Sequence, residues 1–230
     1  MVNVAKNLEA IKNQIHEYEV LFKREPNSVS LLAVSKGQSL EKIQQAVLAG
    51  QQAFGENYLQ EALEKMAALA DKNIEWHFIG SIQSNKTQKI AENFNWVHSV
   101  SEPKICKRLN DQRPLHLSPL NICLEVNVSE EASKTGADFA DIFSLAELCA
   151  SLPRLKLRGL MTIPTPKTDF NEQKAELHKL RILFDELNKK KFMLDALSMG
   201  MSNDMKAAIA EGATIVRIGT AIFGPRNYRS

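Results

Sequence analysis

The chain has 230 residues, 44% hydrophobic and 24% charged, an ordinary balance for a globular protein with room for one large domain or two small ones. Lys and Arg number 29 against 27 Asp and Glu, a formal charge of +2, with Lys189-Lys190-Lys191 the one basic run, which argues against bulk electrostatic binding to nucleic acid or an anionic membrane. Cys106, Cys123 and Cys149 show neither CxxC spacing nor paired histidines, the N-terminus lacks the apolar stretch of a secretory signal, and no apolar run approaches the ~20 residues of a membrane span, so the expectation is a cytoplasmic protein without disulfides or a metal site.

Val4, Leu8, Ile11, Ile15, Tyr18 and Phe22 step by three or four and predict an N-terminal amphipathic helix, ended by Pro26-Asn27. Beyond it, short apolar runs alternate with helical patterns. Strands are predicted at 31–35, 53–54, 76–80, 96–100, 122–128, 157–163, 196–199 and 214–218. Helices are predicted at 40–49, 58–69, 86–93, 103–110, 139–150, 171–189 and 204–211. Gly50 and Gly212 sit just past two of these, where a helix commonly ends in a left-handed residue. The stretch 128–137 reads as a mobile loop, and Pro164 and Pro166 forbid a helix interior between them.

A helix after each of the first seven strands implies parallel strands with crossover helices. Eight such units predict a single (β/α)8 TIM barrel with an extra N-terminal helix, one domain over 1–230. An open doubly wound sheet is the alternative, but Val-Ser-Lys-Gly after the first strand is no GxGxxG fingerprint.

In a barrel, chemistry gathers where the strands end. Lys36 closes the first strand. A desolvated amine there sheds its proton readily and condenses with an aldehyde, or else its head simply reaches water. Ser202 directly precedes a predicted helix and is expected to cap it, leaving free backbone N–H groups for an anion. Gly219-Thr220 follows the eighth strand, where glycine lets a backbone approach closely. With Lys36 on the neighbouring first strand, these favour a ligand bearing an aldehyde and a phosphate, a description that pyridoxal 5'-phosphate (PLP) fits. Asn57 can orient a ring hydroxyl or serve as a turn residue, and Met201 can pack on a ring face or fill core. Arg217, between Val216 and Ile218, needs an acceptor: a structural partner such as Glu125, or the pyridine nitrogen, which an arginine would leave unprotonated. His77 reads as a satisfied core histidine, and Asp204 and Glu211 as one solvated helix face.

Several blocks then resemble a known family. They are Val-Ser-Lys at 34–36, Phe-Gly-Glu-Asn-Tyr at 54–58, Trp-His-Phe-Ile-Gly at 76–80, Gln-Ser-Asn-Lys at 83–86, Arg-Gly-Leu-Met at 158–161, Ser-Met-Gly-Met-Ser-Asn-Asp-Met at 198–205 and Val-Arg-Ile-Gly-Thr-Ala-Ile-Phe-Gly at 216–224. In this order, over nearly the whole chain, they resemble the pyridoxal phosphate homeostasis protein family. The resemblance implies a barrel like the N-terminal domain of alanine racemase, with PLP held as a Schiff base on Lys36. Asn57, Met201, Ser202, Arg217, Gly219 and Thr220 would contact it, Arg217 at the pyridine nitrogen and Ser202 with Gly219-Thr220 at the phosphate. It implies a carrier or regulator that stores, buffers or delivers PLP and so affects vitamin B6 and amino-acid pools, with no catalytic residue. No second domain is expected past the eighth strand, hence no second acid–base group; a PLP-dependent amino-acid racemase of low activity is the alternative. The expected partners are PLP and apo forms of PLP-dependent enzymes, and the expected state is a monomer. Lys134, in the loop after the fifth strand, is a candidate for taking the aldehyde transiently during transfer. Where many members carry further basic residues after the Schiff-base lysine, this chain has Gly37-Gln38.

Overall fold

A computed structural model describes residues 2–129 and 135–225. Helix α1 (Val4–Leu21) leads into β1 (Ser30–Val34), α2 (Leu40–Leu48), β2 (Ala53–Glu56), α3 (Leu59–Ala68), β3 (Glu75–Phe78), α4 (Thr87–Asn93) and β4 (Trp96–Val100). There follow α5 (Pro103–Gln112), β5 (Leu120–Glu125), α6 (Phe139–Ser151), β6 (Leu155–Met161), α7 (Phe170–Lys189), β7 (Ala196–Ser198), α8 (Met205–Ala210), β8 (Ile215–Ile218) and α9 (Thr220–Phe223). The strands form a closed barrel in the order β1 to β8, every pairing parallel, with β8 returning to β1 so that Ser30 faces Ile215 and Ala33 faces Ile218. The predicted (β/α)8 barrel is the observed fold.

Alternation along each strand divides the apolar residues into two sets. Leu31 and Ala33 join the larger core, where the strands meet helix residues such as Leu8, Ile43 and Leu180. Leu32 and Val34 join a smaller one made of strand-borne residues that includes Ile79, Trp96, Cys123, Met161, Ala196 and Ile215; this is the barrel lumen. A residue's parity therefore decides whether it supports the shell or faces the site.

The extra helix α1 packs on α2, α8 and α9, and Asn7 Nδ2 donates to Ile222 O at 2.9 Å. It ends at Leu21, ahead of Pro26, because Lys23 turns left-handed (φ 54°) and Arg24 N donates back to Glu19 O at 2.8 Å. The buried Glu19 carboxylate then accepts from the backbone N–H groups of Asn27 and Val29, at 3.1 and 2.9 Å, and carries the chain into β1. Gly50 and Gly212 have the positive φ (83° and 94°) expected of residues past α2 and α8. Strand β4 falls where predicted, and the other strand bounds shift by at most three residues. At the β5–β6 pair the register slips between Ile122 and Cys123, and that strand ends at Glu125 rather than 128. Among the described residues no helix is long and apolar enough to cross a membrane.

Candidate functional site

A cavity of about 640 Å³ opens at the carboxyl-terminal mouth of the barrel, within the range of small-molecule sites. Lys36, Asn57, Met201, Ser202, Arg217, Gly219 and Thr220, the residues singled out from sequence, all line it. The lumen residues Val34 and Ile79 give it an apolar floor.

Lys36 has the parity of Leu32 and Val34, so its side chain enters the mouth, half-buried. Its backbone is held on both sides. Gln38 N donates to Ser35 O at 3.1 Å, closing a turn that needs positive φ at its third residue, and Gly37 supplies it at 67°. Beneath lies a buried network: Lys65 Nζ donates to Ser35 O (2.7 Å), Glu56 Oε1 (2.7 Å) and Glu61 Oε1 (2.6 Å). Ser35 Oγ donates to Glu56 Oε1 at 2.6 Å, and Gly37 N to Glu61 Oε1 at 2.7 Å. Burial raises the Glu56 carboxyl above its usual range, against the opposing pull of Lys65. Gln38 is buried and bridges Gly224 O (3.2 Å) and the Lys42 ammonium (2.8 Å).

Arg217 is 4% exposed and faces the lumen. Its Nη1 donates to Ser198 O at 2.6 Å and Ser198 Oγ at 2.9 Å, and its Nη2 to Thr162 O at 2.8 Å. Glu125, considered from sequence as its structural partner, forms no ion pair with it. That carboxylate accepts from Thr135 Oγ1 at 2.6 Å and acts on Arg217 only through its field. Neutral acceptors hold the guanidinium instead, because the lumen offers strand-end carbonyls closer than any carboxylate. Burial lowers its pKa from the usual guanidinium value, opposed by Asp204 and Glu125. Its Nε–H and second Nη2–H have no acceptor among the described residues and remain available in the cavity wall.

The expected cap does not form. Residue 204, not Ser202, is the N-cap of α8, and it makes no side-chain capping bond. Asp204, expected on a solvated face, is buried instead, and its Oδ1 accepts from Met201 N at 2.6 Å. This folds 201–204 into a tight turn that displaces Ser202 to its exposed tip. The Ser202 and Asn203 N–H groups, and those of Thr220 and Ala221 at the start of α9, have no acceptor among the described residues. The two turns thus offer four backbone donors on one side of the cavity, a match for a phosphate. Gly219 permits this: a Cβ there would lie 3.1 Å from Val34 O and wedge β8 from β1.

Asn57 Oδ1 is buried with no hydrogen-bond partner, which marks a place for a donor that the protein does not itself supply. Its backbone is pinned by Gly80, where a Cβ would fall 2.2 Å from Asn57 O. The donor set therefore fits PLP: an amine for the aldehyde, an orphan acceptor for a ring hydroxyl, a guanidinium for the pyridine edge, and free amides for the phosphate. Among the described residues no cluster of His, Cys, Asp or Glu could hold a metal ion.

Sequence reasoning missed the outer wall. Pro164, Thr165 and Lys167 line the cavity with Gln173 and Glu176 of α7. Gln173 Nε2 donates to Lys167 O (2.8 Å) and Asn203 O (3.2 Å), tying this wall to the 201–204 turn. The proline pair at 164 and 166 is the visible signal, and in sequence it marks only a break in helix. Lys134 lies outside the described residues.

A parallel eight-stranded barrel with a lysine at the end of β1 and unpaired backbone amides after β7 and β8 is here a barrel of the alanine racemase N-terminal type. The family model described as "Alanine racemase, N-terminal domain" matches residues 7–227. Alanine racemase from Corynebacterium glutamicum shares this fold at 16% identity, with a TM-score of 0.71 over 97% of this chain and 63% of that one. Within that class the relatives are specific. A pyridoxal phosphate homeostasis protein of Pseudomonas aeruginosa is 54% identical over 228 residues, 99% of this chain and 98% of its own. PipY of Synechococcus elongatus, solved with PLP bound, is 36% identical with a TM-score of 0.84, over 96% of this chain and all of that one. The chain belongs to the pyridoxal phosphate homeostasis protein family.

Proposed function

We propose that this protein, as one barrel domain over 1–230, holds PLP covalently on Lys36 and stores, buffers and delivers it, keeping the free aldehyde low while supplying apo-enzymes that need it. The observation that carries this is the convergence in one cavity of the Lys36 amine, the orphaned Asn57 Oδ1, the Arg217 guanidinium and the unpaired amides at 202–203 and 220–221. The PLP-bound PipY relative and the name of the Pseudomonas relative support it.

When bound, the cofactor supplies an electrophilic carbaldehyde and an aromatic ring able to accept electrons. The rest belongs to the protein. Lys36 would carry the cofactor through its amine, and Asn57 would accept from the ring hydroxyl. The Ser202 and Thr220 turns would hold the phosphate by backbone N–H groups. Arg217 would face the pyridine nitrogen and, as a group without an acceptor, would leave it unprotonated. The ring is then a weaker electron sink than one paired with a carboxylic acid, which suits carriage over turnover.

Borohydride treatment of the purified protein followed by peptide mass analysis is expected to place a pyridoxyl adduct on the Lys36 peptide. An adduct elsewhere, or none, ends this reading. Incubation of the loaded protein with single L-amino acids and chiral analysis decides between carrier and racemase: a carrier yields no D-enantiomer above that produced by free PLP.

A further inference from the structure

The lumen holds a line of polar side chains that the site above leaves unused. Glu75 Oε1 lies 2.8 Å from His77 Nε2. His77 Nδ1 lies 2.8 Å from His98 Nε2, and His98 Nδ1 lies 2.8 Å from Ser198 Oγ. Ser198 Oγ in turn accepts from Arg217 Nη1 at 2.9 Å. His98 is on β4 and Ser198 on β7, strands that are not neighbours, so this contact spans the lumen. His77, His98, Ser198 and Arg217 are all buried, whereas the Glu75 side chain is 49% exposed at the opposite, amino-terminal mouth. Trp96 stacks on His77 (ring centroids 5.4 Å apart, planes 5° apart), and the Arg158 guanidinium sits 4.5 Å over Trp96, closing the floor around the line.

Requiring every buried polar atom in the line to have a partner sets the direction of each bond. Arginine has donors only, so Ser198 Oγ must accept from it. The Ser198 hydroxyl hydrogen is then free for His98 Nδ1, its one remaining partner. His98, with Nδ1 accepting, carries its proton on Nε2 and donates to His77 Nδ1. His77 likewise donates from Nε2 to Glu75, whose carboxylate ends the series as an acceptor. No polar atom in the line is left over, and a buried imidazolium beside Arg217 is avoided. Consistent with this, burial lowers the pKa of both histidines, His98 further because His77 and Arg217 add their fields.

We propose that Ser198, His98, His77 and Glu75 form a one-way hydrogen-bond relay that orients Arg217 for the cofactor's pyridine nitrogen and couples charge at the amino-terminal mouth of the barrel to the cofactor site. These are positioning residues: none lines the cavity, and they act through Arg217. The cofactor half of the proposal rests on the PLP reading above; the relay itself does not.

The first test needs no cofactor. Nitrogen-15 NMR of the histidine rings in the full-length, cofactor-free protein at neutral pH is expected to show His77 and His98 as neutral Nε2–H tautomers. An Nδ1–H tautomer or an imidazolium at either position overturns the relay. The second test compares Glu75→Gln, which keeps the acceptor but removes the charge, with Glu75→Leu, which removes both; the exposed position lets both fold. In Glu75→Leu the dissociation constant for PLP is expected to rise on the order of threefold to tenfold, with Glu75→Gln between it and wild type. The bound-cofactor absorbance should change its pH midpoint in both, a readout that mere loss of stability would not move. Borohydride should still place the adduct on Lys36. If it does while affinity and spectrum match wild type, the coupling to the site is wrong and the PLP reading survives. If wild type takes no PLP, the PLP reading fails, and the tautomers alone then judge the relay.

Discussion

At the scale of single residues, the site separates charge from nucleophilicity. Lys36 and Arg217 are both basic side chains in one cavity wall, yet only a lysine amine is a nucleophile for a carbonyl. Lys36→Arg therefore makes a pointed variant, because it keeps the positive charge and the length but not the chemistry. It is expected to abolish the long-wavelength absorbance of the PLP-loaded protein while changing unfolding free energy by less than about 1 kcal/mol, since residue 36 is half-buried on a turn held by its neighbours. Absorbance and urea unfolding of the same preparation check this. Retention of the band would show that another amine carries the aldehyde, and Lys167, which lines the same cavity, would be the first to examine.

At the scale of elements, the turn bearing Lys36 is only as rigid as what lies beneath it. Lys65 on α3 links the end of β1 to Glu56 of β2 and to Glu61 of its own helix, and it is 5% exposed. Lys65→Met leaves the Glu56 carboxyl buried without its cation, an arrangement that typically costs about 3–5 kcal/mol. Glu56→Gln in the same background removes the stranded charge and is expected to recover more than half of that loss in a urea-unfolding cycle; no recovery would mean that packing, not charge, is what Lys65 provides. PLP affinity should fall in Lys65→Met because Ser35 O loses the Lys65 donor and Glu61, which holds Gly37 N, loses its cation.

This network also shows what the sequence made legible. The strands showed as apolar runs, and the site showed as polar residues that end them, because a barrel puts all eight strand ends on one rim. Ser202 was misplaced by two residues because Asp204, hydrogen-bonded to Met201 N, tightens the turn before α8; no periodicity records such a bond. The outer wall from 163–167 and α7 was hidden for a different reason, since it reaches the cavity only through the fold, as when Gln173 bridges to Asn203. His98 and Ser198 are separated by 100 positions and touch only when the barrel closes. Their parity on apolar strands was the one available sign that they face inward.

At the scale of the whole molecule, a polar line through the lumen makes stability depend on pH in a defined direction. His77 and His98 have folded-state pKa values below the ordinary 6.5, chiefly through burial, so the fold holds them neutral. In the unfolded chain they titrate near 6.5, so below that pH the unfolded state binds more protons and stability falls. Above about pH 6.5 both states leave them neutral and the contribution is complete. On acidification each histidine can remove about 1.4 kcal/mol per pH unit until the fold itself takes up a proton. Glu75 adds to the same trend at lower pH: its bond to His77 lowers its carboxyl pKa, so its contribution is lost as the carboxylate is protonated. The histidine contribution to the urea midpoint is therefore expected to be flat from pH 8 to about 7 and to decline between about 6.5 and 5.5, while the buried carboxyls of Glu56, Glu125 and Asp204, raised above their ordinary values, work the other way. His98→Gln should lower the plateau, because it breaks the line, and flatten the decline, because it removes a titrating group. A decline in His98→Gln as steep as in wild type would mean that His98 is not held neutral in the fold, and the single direction assigned to the hydrogen bonds along the lumen would fail.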